Sequence, residues 1–185
     1  MKSSDLRIPG LKLIEPTVHR DERGAFFEAW NRARYAALGI DTEMVQANVS
    51  VSQYGVLRGL HHQWPRPQGK LVWVQAGEVW DVAVDIRRGS PTFGQSEAVT
   101  LNADNGRQLW LPPGFAHGFV VLSEQATFCY LCTEVYDREG DASIRWDDPD
   151  LAIDWPIARP SLSPKDAAAP RLASIDPSRL PDLAA

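Results

Sequence analysis

GVLRGLHHQWPRPQGKLVWVQAGEVWDVAVDI, residues 55–86, is the stretch of sequence that decides the fold. It contains two apolar runs, 71–76 and 79–86, which are separated only by Gly77 and Glu78. In the second run, every other residue is bulky and apolar: Trp80, Val82, Val84 and Ile86. Alternation with a period of two is typical of a β-strand, and a glycine between two such runs favours a turn. We therefore predict two strands that form a tight hairpin at Gly77.

The rest of the chain reads as further short strands with a few small helices. Asn31 can cap a helix over 32–38 that Gly39 would close, and a second short helix begins after Ser163. Strand-like segments lie on both sides of the central stretch, at 11–14, 44–51, 97–101, 107–111, 115–122 and 126–133. Many short strands at close spacing indicate an all-β sandwich or barrel. We expect residues 1–185 to form a single domain, with a loosely attached Pro/Ala/Ser-rich tail after about residue 170.

Composition and charge exclude several functional classes. A net charge of −5 over 185 residues provides no general basic field, so we expect no nucleic-acid partner. No apolar run approaches the roughly 20 residues of a membrane span, and we expect no membrane association. Cys129 and Cys132 form a C-x-x-C pair, but their apolar strand context favours two ordinary buried thiols over a metal or redox site. Two cysteines without a signal peptide are typical of a reducing cytoplasm.

A cluster of basic and titratable residues opens the central stretch and indicates a site for an anionic molecule. Arg58, His61, His62 and Lys70 lie close together in sequence, and His117 adjoins another strand-like segment. Each histidine taken singly is more often a structural residue, but several buried cations require an anionic partner. A metal site is disfavoured because adjacent histidines on a strand point to opposite faces. Strict alternation also separates Arg58 from His61, so a bulge near Gly59 is needed if both line one pocket.

Two other polar residues are explained structurally by spacing alone. Ser163, Pro164 and Asp166 fit a helix-capping pattern, with serine at the cap, proline first and an acid third. Tyr130 shares a strand face with Phe128 and would be a core aromatic residue whose hydroxyl meets a buried partner.

Several long motifs resemble those of one enzyme family. They are RGAFFE, QANVS, GVLRGLHHQ, QGKLV, DVAVDIRRGSPTFG, LWLPPGFAHGF, FCYLCTEVYD and LSPKDAAAP. In order and spacing, over roughly residues 8–170, the chain is similar to the dTDP-4-dehydrorhamnose 3,5-epimerases. The resemblance implies a cupin-type jelly-roll barrel, a homodimer, and no metal or other cofactor. It also implies a dTDP-4-keto-6-deoxy sugar substrate, dTDP-4-dehydro-6-deoxy-D-glucose, which is inverted at carbons 3 and 5 to dTDP-4-dehydro-L-rhamnose.

The resemblance also implies roles for individual residues. His61 would be the general base, oriented by Asp166, while Tyr130 would donate a proton from the opposite face and Lys70 would meet the enolate oxygen. Residues implied to bind the substrate from the same subunit are Gln46, Asn48, Arg58, His117, Tyr136, Asp141 and Lys165. Residues implied to reach the partner subunit's site are Arg23, Phe26 and Glu28. The chain departs from the family at His62, where an aromatic residue is frequent, and at Asp141, where glutamate is usual.

These residue types suit proton transfer next to a ketone. A histidine has an unperturbed pKa of about 6.5, a lysine offers positive charge to an oxyanion, and a tyrosine can return a proton from the far side. A cupin that merely binds a sugar or small acid, with or without a metal, would not need both His61 and Tyr130. A single-carbon epimerase of another dTDP-4-keto-6-deoxy sugar stays open, because the same residues could serve one carbon or two.

Overall fold

The structure of the chain is a computed structural model in which residues 1–183 are described. Thirteen short strands dominate the described residues, accompanied by the helices α1 (Arg32–Ala36) and α2 (Pro164–Ala167) and by 3-10 turns at Leu172–Ser174 and Pro177–Arg179. The strands are β1 (Lys2–Asp5), β2 (Lys12–Glu15), β3 (His19–Asp21), β4 (Gly24–Phe26), β5 (Gln46–Gln53), β6 (Leu57–Gln63), β7 (Lys70–Ala76), β8 (Glu78–Asp85), β9 (Ser96–Asn102), β10 (Gln108–Leu111), β11 (Phe115–Val121), β12 (Gln125–Cys132) and β13 (Asp141–Ser143). None of the described helices is long and apolar enough to cross a membrane.

Two antiparallel sheets face each other and form a jelly-roll barrel, which confirms the predicted all-β class. One sheet has the strand order β1-β2-β10-β7-β12-β5, and the other has the order β13-β6-β11-β8-β9. Apolar residues from both sheets fill the space between them, among them Val72, Ala83, Leu109, Phe119 and Phe128. A third pairing, β3 with β4, forms a separate two-stranded hairpin.

The predicted hairpin at Gly77 is wrong, although both of its strands exist. β7 pairs with β10 and β12, whereas β8 pairs with β9 and β11, so the two strands belong to opposite sheets. Gly77 turns the chain from one sheet to the other, with φ +80°. A Cβ at this position would lie 2.1 Å from the Gln125 carbonyl oxygen, so the crossover requires glycine. A short turn with glycine is compatible with both a hairpin and a crossover, and the more distant strands decide between them.

The predicted bulge near Gly59 is confirmed. His61 pairs with His117 and Arg58 pairs with Phe119, so two residues of β6 oppose the single residue Gly118 of β11. A Cβ on Gly59 would lie 2.5 Å from the Gly118 Cα, which explains why glycine occupies the position. The extra residue corrects the alternation and allows Arg58 and His61 to share one face of the sheet.

The predicted helix caps are confirmed. The Asn31 side chain accepts a hydrogen bond from the Arg34 backbone N–H at the start of α1, and the Ser163 hydroxyl accepts one from the Asp166 N–H at the start of α2. Each cap satisfies a backbone donor that the first helical turn leaves without an intrahelical partner.

Several described residues after residue 170 contact the barrel. Leu172 and Leu180 are buried in an apolar cluster on the outer face of the β6-containing sheet. The Leu172 N–H donates to the buried Asp148 carboxylate, and Arg88 forms an ion pair with Asp182. Apolar anchors spaced along the segment hold it against the barrel, an arrangement that an average composition does not reveal.

Candidate active site

The candidate site lies between the two sheets, where polar side chains replace the apolar core. His61 is directly opposite His117 across β6 and β11, so the two side chains share one face of their sheet. The His117 ring stacks on Phe128 of the facing sheet at a centroid distance of 5.9 Å, which identifies this face as the inner one. Tyr130 follows Phe128 by two residues on β12 and therefore points inward as well. The two sheets thus present His61 and Tyr130 to the same interior space.

His61 and Asp166 form a hydrogen-bonded pair, with 2.6 Å between His61 Nε2 and Asp166 Oδ1. The His61 side chain is 32% exposed and the Asp166 side chain only 4%, so the imidazole faces the open side and the carboxylate lies behind it. Burial raises the pKa of Asp166, but hydrogen bonds from His61 and Ser163 outweigh it and hold that pKa below its usual value. The cap at the start of α2 therefore positions the Asp166 carboxylate next to His61. Asp166 belongs to the capping turn and is also the hydrogen-bond partner of His61.

Lys70 and Tyr130 supply a cation and a hydroxyl to the same interior. Burial lowers the pKa of Lys70, although Asp141 and Asp81 act in the opposite direction. Within residues 1–183, no ion pair or side-chain hydrogen bond engages the Lys70 ammonium, so its charge is available to an oxyanion. Burial also raises the pKa of Tyr130, which keeps its phenol protonated near neutral pH.

His117 has a buried partner that sequence reasoning missed. Its Nε2 lies 2.9 and 3.1 Å from the two carboxylate oxygens of Asp81 on β8, and Asp81 is fully buried. An aspartate on the inward face of an apolar strand needs a partner, since an unpaired buried charge is costly. That signal was present in the VWDVAVD run, but it could not identify His117 as the partner.

Five of the other residues implied to bind the substrate within one subunit form a single hydrogen-bonded network that runs through Tyr136. The Tyr136 N–H donates to Gln46 Oε1 over 2.7 Å, and Gln46 Nε2 donates to Asn48 Oδ1 over 3.1 Å. The Asp141 carboxylate accepts hydrogen bonds from the Lys165 ammonium and the Tyr136 hydroxyl.

Arg58 is held separately, by a 3.0 Å hydrogen bond from its Nε to the Ser52 hydroxyl. Sequence reasoning did not identify Ser52. It lies two strand positions beyond Ser50 on the same face as Gln46 and Asn48, and this spacing is the signal that could have found it.

The structure does not bring the three residues implied to reach a partner's site close to the candidate active site of the same chain. These residues are Arg23, Phe26 and Glu28. Arg23 forms an ion pair with Asp21 within the β3–β4 hairpin, and Glu28 interacts with Asn31 and Arg34. Phe26 is 73% exposed. Their implied role at a partner's site therefore stays a prediction.

No group of three or more His, Cys, Asp or Glu side chains in the described part of the chain could hold a metal ion. Cys129 and Cys132 are both free and buried. They lie three residues apart on β12 and so point to opposite faces of the sheet.

Comparison with known proteins identifies the family. A sequence model described as dTDP-4-dehydrorhamnose 3,5-epimerase matches residues 5–174. The dTDP-4-dehydrorhamnose 3,5-epimerase of Pseudomonas aeruginosa is 53% identical over 178 residues, which cover 95% of this chain and 98% of the relative.

Solved structures agree with the sequence match. A 3,5-epimerase of Legionella pneumophila, in complex with dTDP-4-keto-L-rhamnose, has 55% identity and a TM-score of 0.97 and covers 100% of this chain and 99% of its own. A 3'-monoepimerase of Streptomyces bikiniensis, in complex with dTDP-quinovose, has 38% identity and a TM-score of 0.89. The match covers 96% of this chain and 91% of the Streptomyces chain. By sequence and by fold, the chain belongs to the dTDP-4-dehydrorhamnose 3,5-epimerase family.

Proposed function

We propose that the protein converts dTDP-4-dehydro-6-deoxy-D-glucose to dTDP-4-dehydro-L-rhamnose by inverting carbons 3 and 5. The observation that carries the proposal is the His61–Asp166 pair facing the same interior as Tyr130 and Lys70. The family match and the dTDP-4-keto-L-rhamnose bound to the Legionella relative support the choice of substrate.

The chemistry begins with the hydrogen on a carbon next to the ketone. His61 Nε2 is engaged by Asp166, so its Nδ1 is the nitrogen available to remove that proton. The electron pair moves onto the carbon 4 oxygen and forms an enolate, which the Lys70 ammonium stabilises. Asp166 holds the imidazole in one tautomer and stabilises the imidazolium that results. A positive charge aimed at a developing oxyanion is a large contribution to catalysis.

Inversion requires that the proton return from the opposite side of the sugar ring. Tyr130 extends from the sheet that faces His61, and its protonated phenol can donate to the enolate carbon. Proton transfer by a positioned group of this kind typically contributes 10²–10⁴-fold to the rate. One His–Tyr arrangement can act at carbon 3 and carbon 5, because both carbons flank the ketone.

Substrate binding depends on residues around this centre. Arg58 can bind diphosphate oxygens through two parallel hydrogen bonds, and Lys165 adds a second cation. Gln46, Asn48 and Tyr136 would contact the nucleotide sugar, with His117 beside the sugar ring. An overall acidic protein can bind an anionic nucleotide in this way, because the basic side chains are concentrated at one site.

The assembly that we propose is a homodimer in which Arg23, Phe26 and Glu28 complete the partner's site. Two features support it. Phe26 extends from a hairpin that belongs to neither main sheet, and the edge strand β5 exposes Val49 and Val51 by 66% and 55%. Sedimentation analysis should give a dimer, and a fully active monomer would contradict this proposal. We also propose a cytoplasmic location, which the two free cysteines support.

Reaction in heavy water tests the proposed function. The wild-type protein should place deuterium at both carbon 3 and carbon 5 of the product and should invert both. Label and inversion at carbon 3 alone would identify a single-carbon epimerase, as in the Streptomyces relative. Binding of the nucleotide sugar without label at either carbon would identify a binding protein.

A further inference from the structure

A chain of hydrogen bonds leads from the nucleotide side of the site towards Lys70. The Tyr136 N–H donates to Gln46 Oε1 and Gln46 Nε2 donates to Asn48 Oδ1, so both carboxamide oxygens are engaged. Asn48 Nδ2 then donates to the sulfur of Cys132 over 3.9 Å. Because each step uses a defined donor and acceptor, the chain determines which way the Asn48 carboxamide is turned.

Cys132 lies between the hydrogen-bond chain and Lys70. On β12 it lies directly opposite Gln46 of β5 on one side and directly opposite Lys70 of β7 on the other. Directly opposed residues of antiparallel strands bring their side chains together on one face. The residue is completely buried, so its sulfur acts on its neighbours and not on a bound molecule. Burial also raises the pKa of the Cys132 thiol and so keeps it uncharged, although Lys70 and the Asn48 hydrogen bond oppose this shift.

We propose that Cys132 is a positioning residue, whose sulfur orients the Asn48 carboxamide towards the nucleotide sugar. With one Nδ2 hydrogen directed to Cys132, the second Nδ2 hydrogen is free for the ligand. The inference rests on the proposed function for the identity of the ligand.

The alternative is that Cys132 only fills space in the barrel. Cys129 provides a matched control, because it is a buried free cysteine on the same strand whose side chain points to the opposite face. A volume effect should be similar at both positions, whereas the loss of a hydrogen-bond acceptor should matter only at Cys132.

The test compares Cys132→Val, Cys132→Ser and Cys129→Val with the wild type. Binding is measured by calorimetry with dTDP-glucose, which has no ketone and cannot react, and turnover is measured with dTDP-4-dehydro-6-deoxy-D-glucose. Cys132→Val removes the acceptor and should raise both the Kd and the KM by about threefold to tenfold, as expected for one net hydrogen bond. Its kcat should change less than its KM. Cys132→Ser restores an acceptor and should bind like the wild type, as should Cys129→Val.

Several results would overturn the inference. One is a folded Cys132→Val protein that binds dTDP-glucose as tightly as the wild type, and another is a serine variant as weak as the valine variant. Weakening of the same size in Cys129→Val would show a packing effect. If Cys132→Val does not fold, Cys132→Ala removes the sulfur without adding bulk and should show the same loss of affinity. A wild type that binds dTDP-glucose without turning over the keto sugar would contradict the proposed function, while the affinity comparison would still decide the role of Cys132.

Discussion

His62 should make the protein lose stability in mild acid, and His62→Phe should remove much of that loss. The imidazole is 5% exposed, and neither ring nitrogen has a hydrogen-bond partner among the described residues. Burial, with a further contribution from the Lys70 charge, lowers the pKa of His62 from 6.5 to about 4. Phenylalanine keeps an aromatic ring at the site without the two unpaired nitrogens.

The sign and size of the effect follow from proton linkage. Between pH 6.5 and pH 4 the unfolded chain binds a proton at His62 that the folded chain does not, so stability falls as the pH falls. A pKa difference from 6.5 to about 4 corresponds to a stability loss of about 3 kcal/mol by pH 4, of which about 2 kcal/mol should be lost between pH 7 and pH 5.

Urea unfolding at pH 7 and pH 5, at one protein concentration, measures this difference. The free energy of unfolding of the wild type should fall between the two pH values by about 2 kcal/mol more than that of His62→Phe. His19→Gln, at an exposed position of the β3–β4 hairpin, is the control and should behave like the wild type. An equal loss of stability in the wild type and His62→Phe would refute the reasoning, because it would mean that His62 is not held neutral by the fold.

Three further predictions concern the reaction. Tyr130→Phe should reduce net inversion in heavy water by about 10²–10⁴-fold while exchange with retention persists, and undiminished inversion in the folded variant would remove Tyr130 from the mechanism. Asp166→Asn should lower kcat by at least about 10²-fold with a smaller change in the affinity for dTDP-glucose, because an asparagine side chain does not fix the His61 tautomer. An unchanged kcat would show that the 2.6 Å contact between His61 and Asp166 is only structural. Turnover should survive exhaustive treatment with EDTA, because Lys70 supplies the charge at the oxygen, and a loss that one divalent ion restores would contradict that role.

Local patterns predicted much of the fold and part of the site. Period-two alternation predicted the strands on both sides of Gly77, but not that the face with Val79, Asp81 and Ala83 is the inner one. The capping pattern at Ser163 correctly located the start of α2. Such predictions succeed because alternation, capping and turns depend on residues only a few positions apart.

The sequence by itself therefore determined the strands, the α2 cap and, through its motifs, the family. Only the tertiary structure decided that β7 and β8 lie in opposite sheets, because each strand pairs with partners more distant in the chain. It also decided that Asp81 pairs with His117 and that Asp166 reaches His61 across 105 residues. These contacts form where separate strands and a helix start meet in space, and a pattern within one segment contains no information about which other segment will face it.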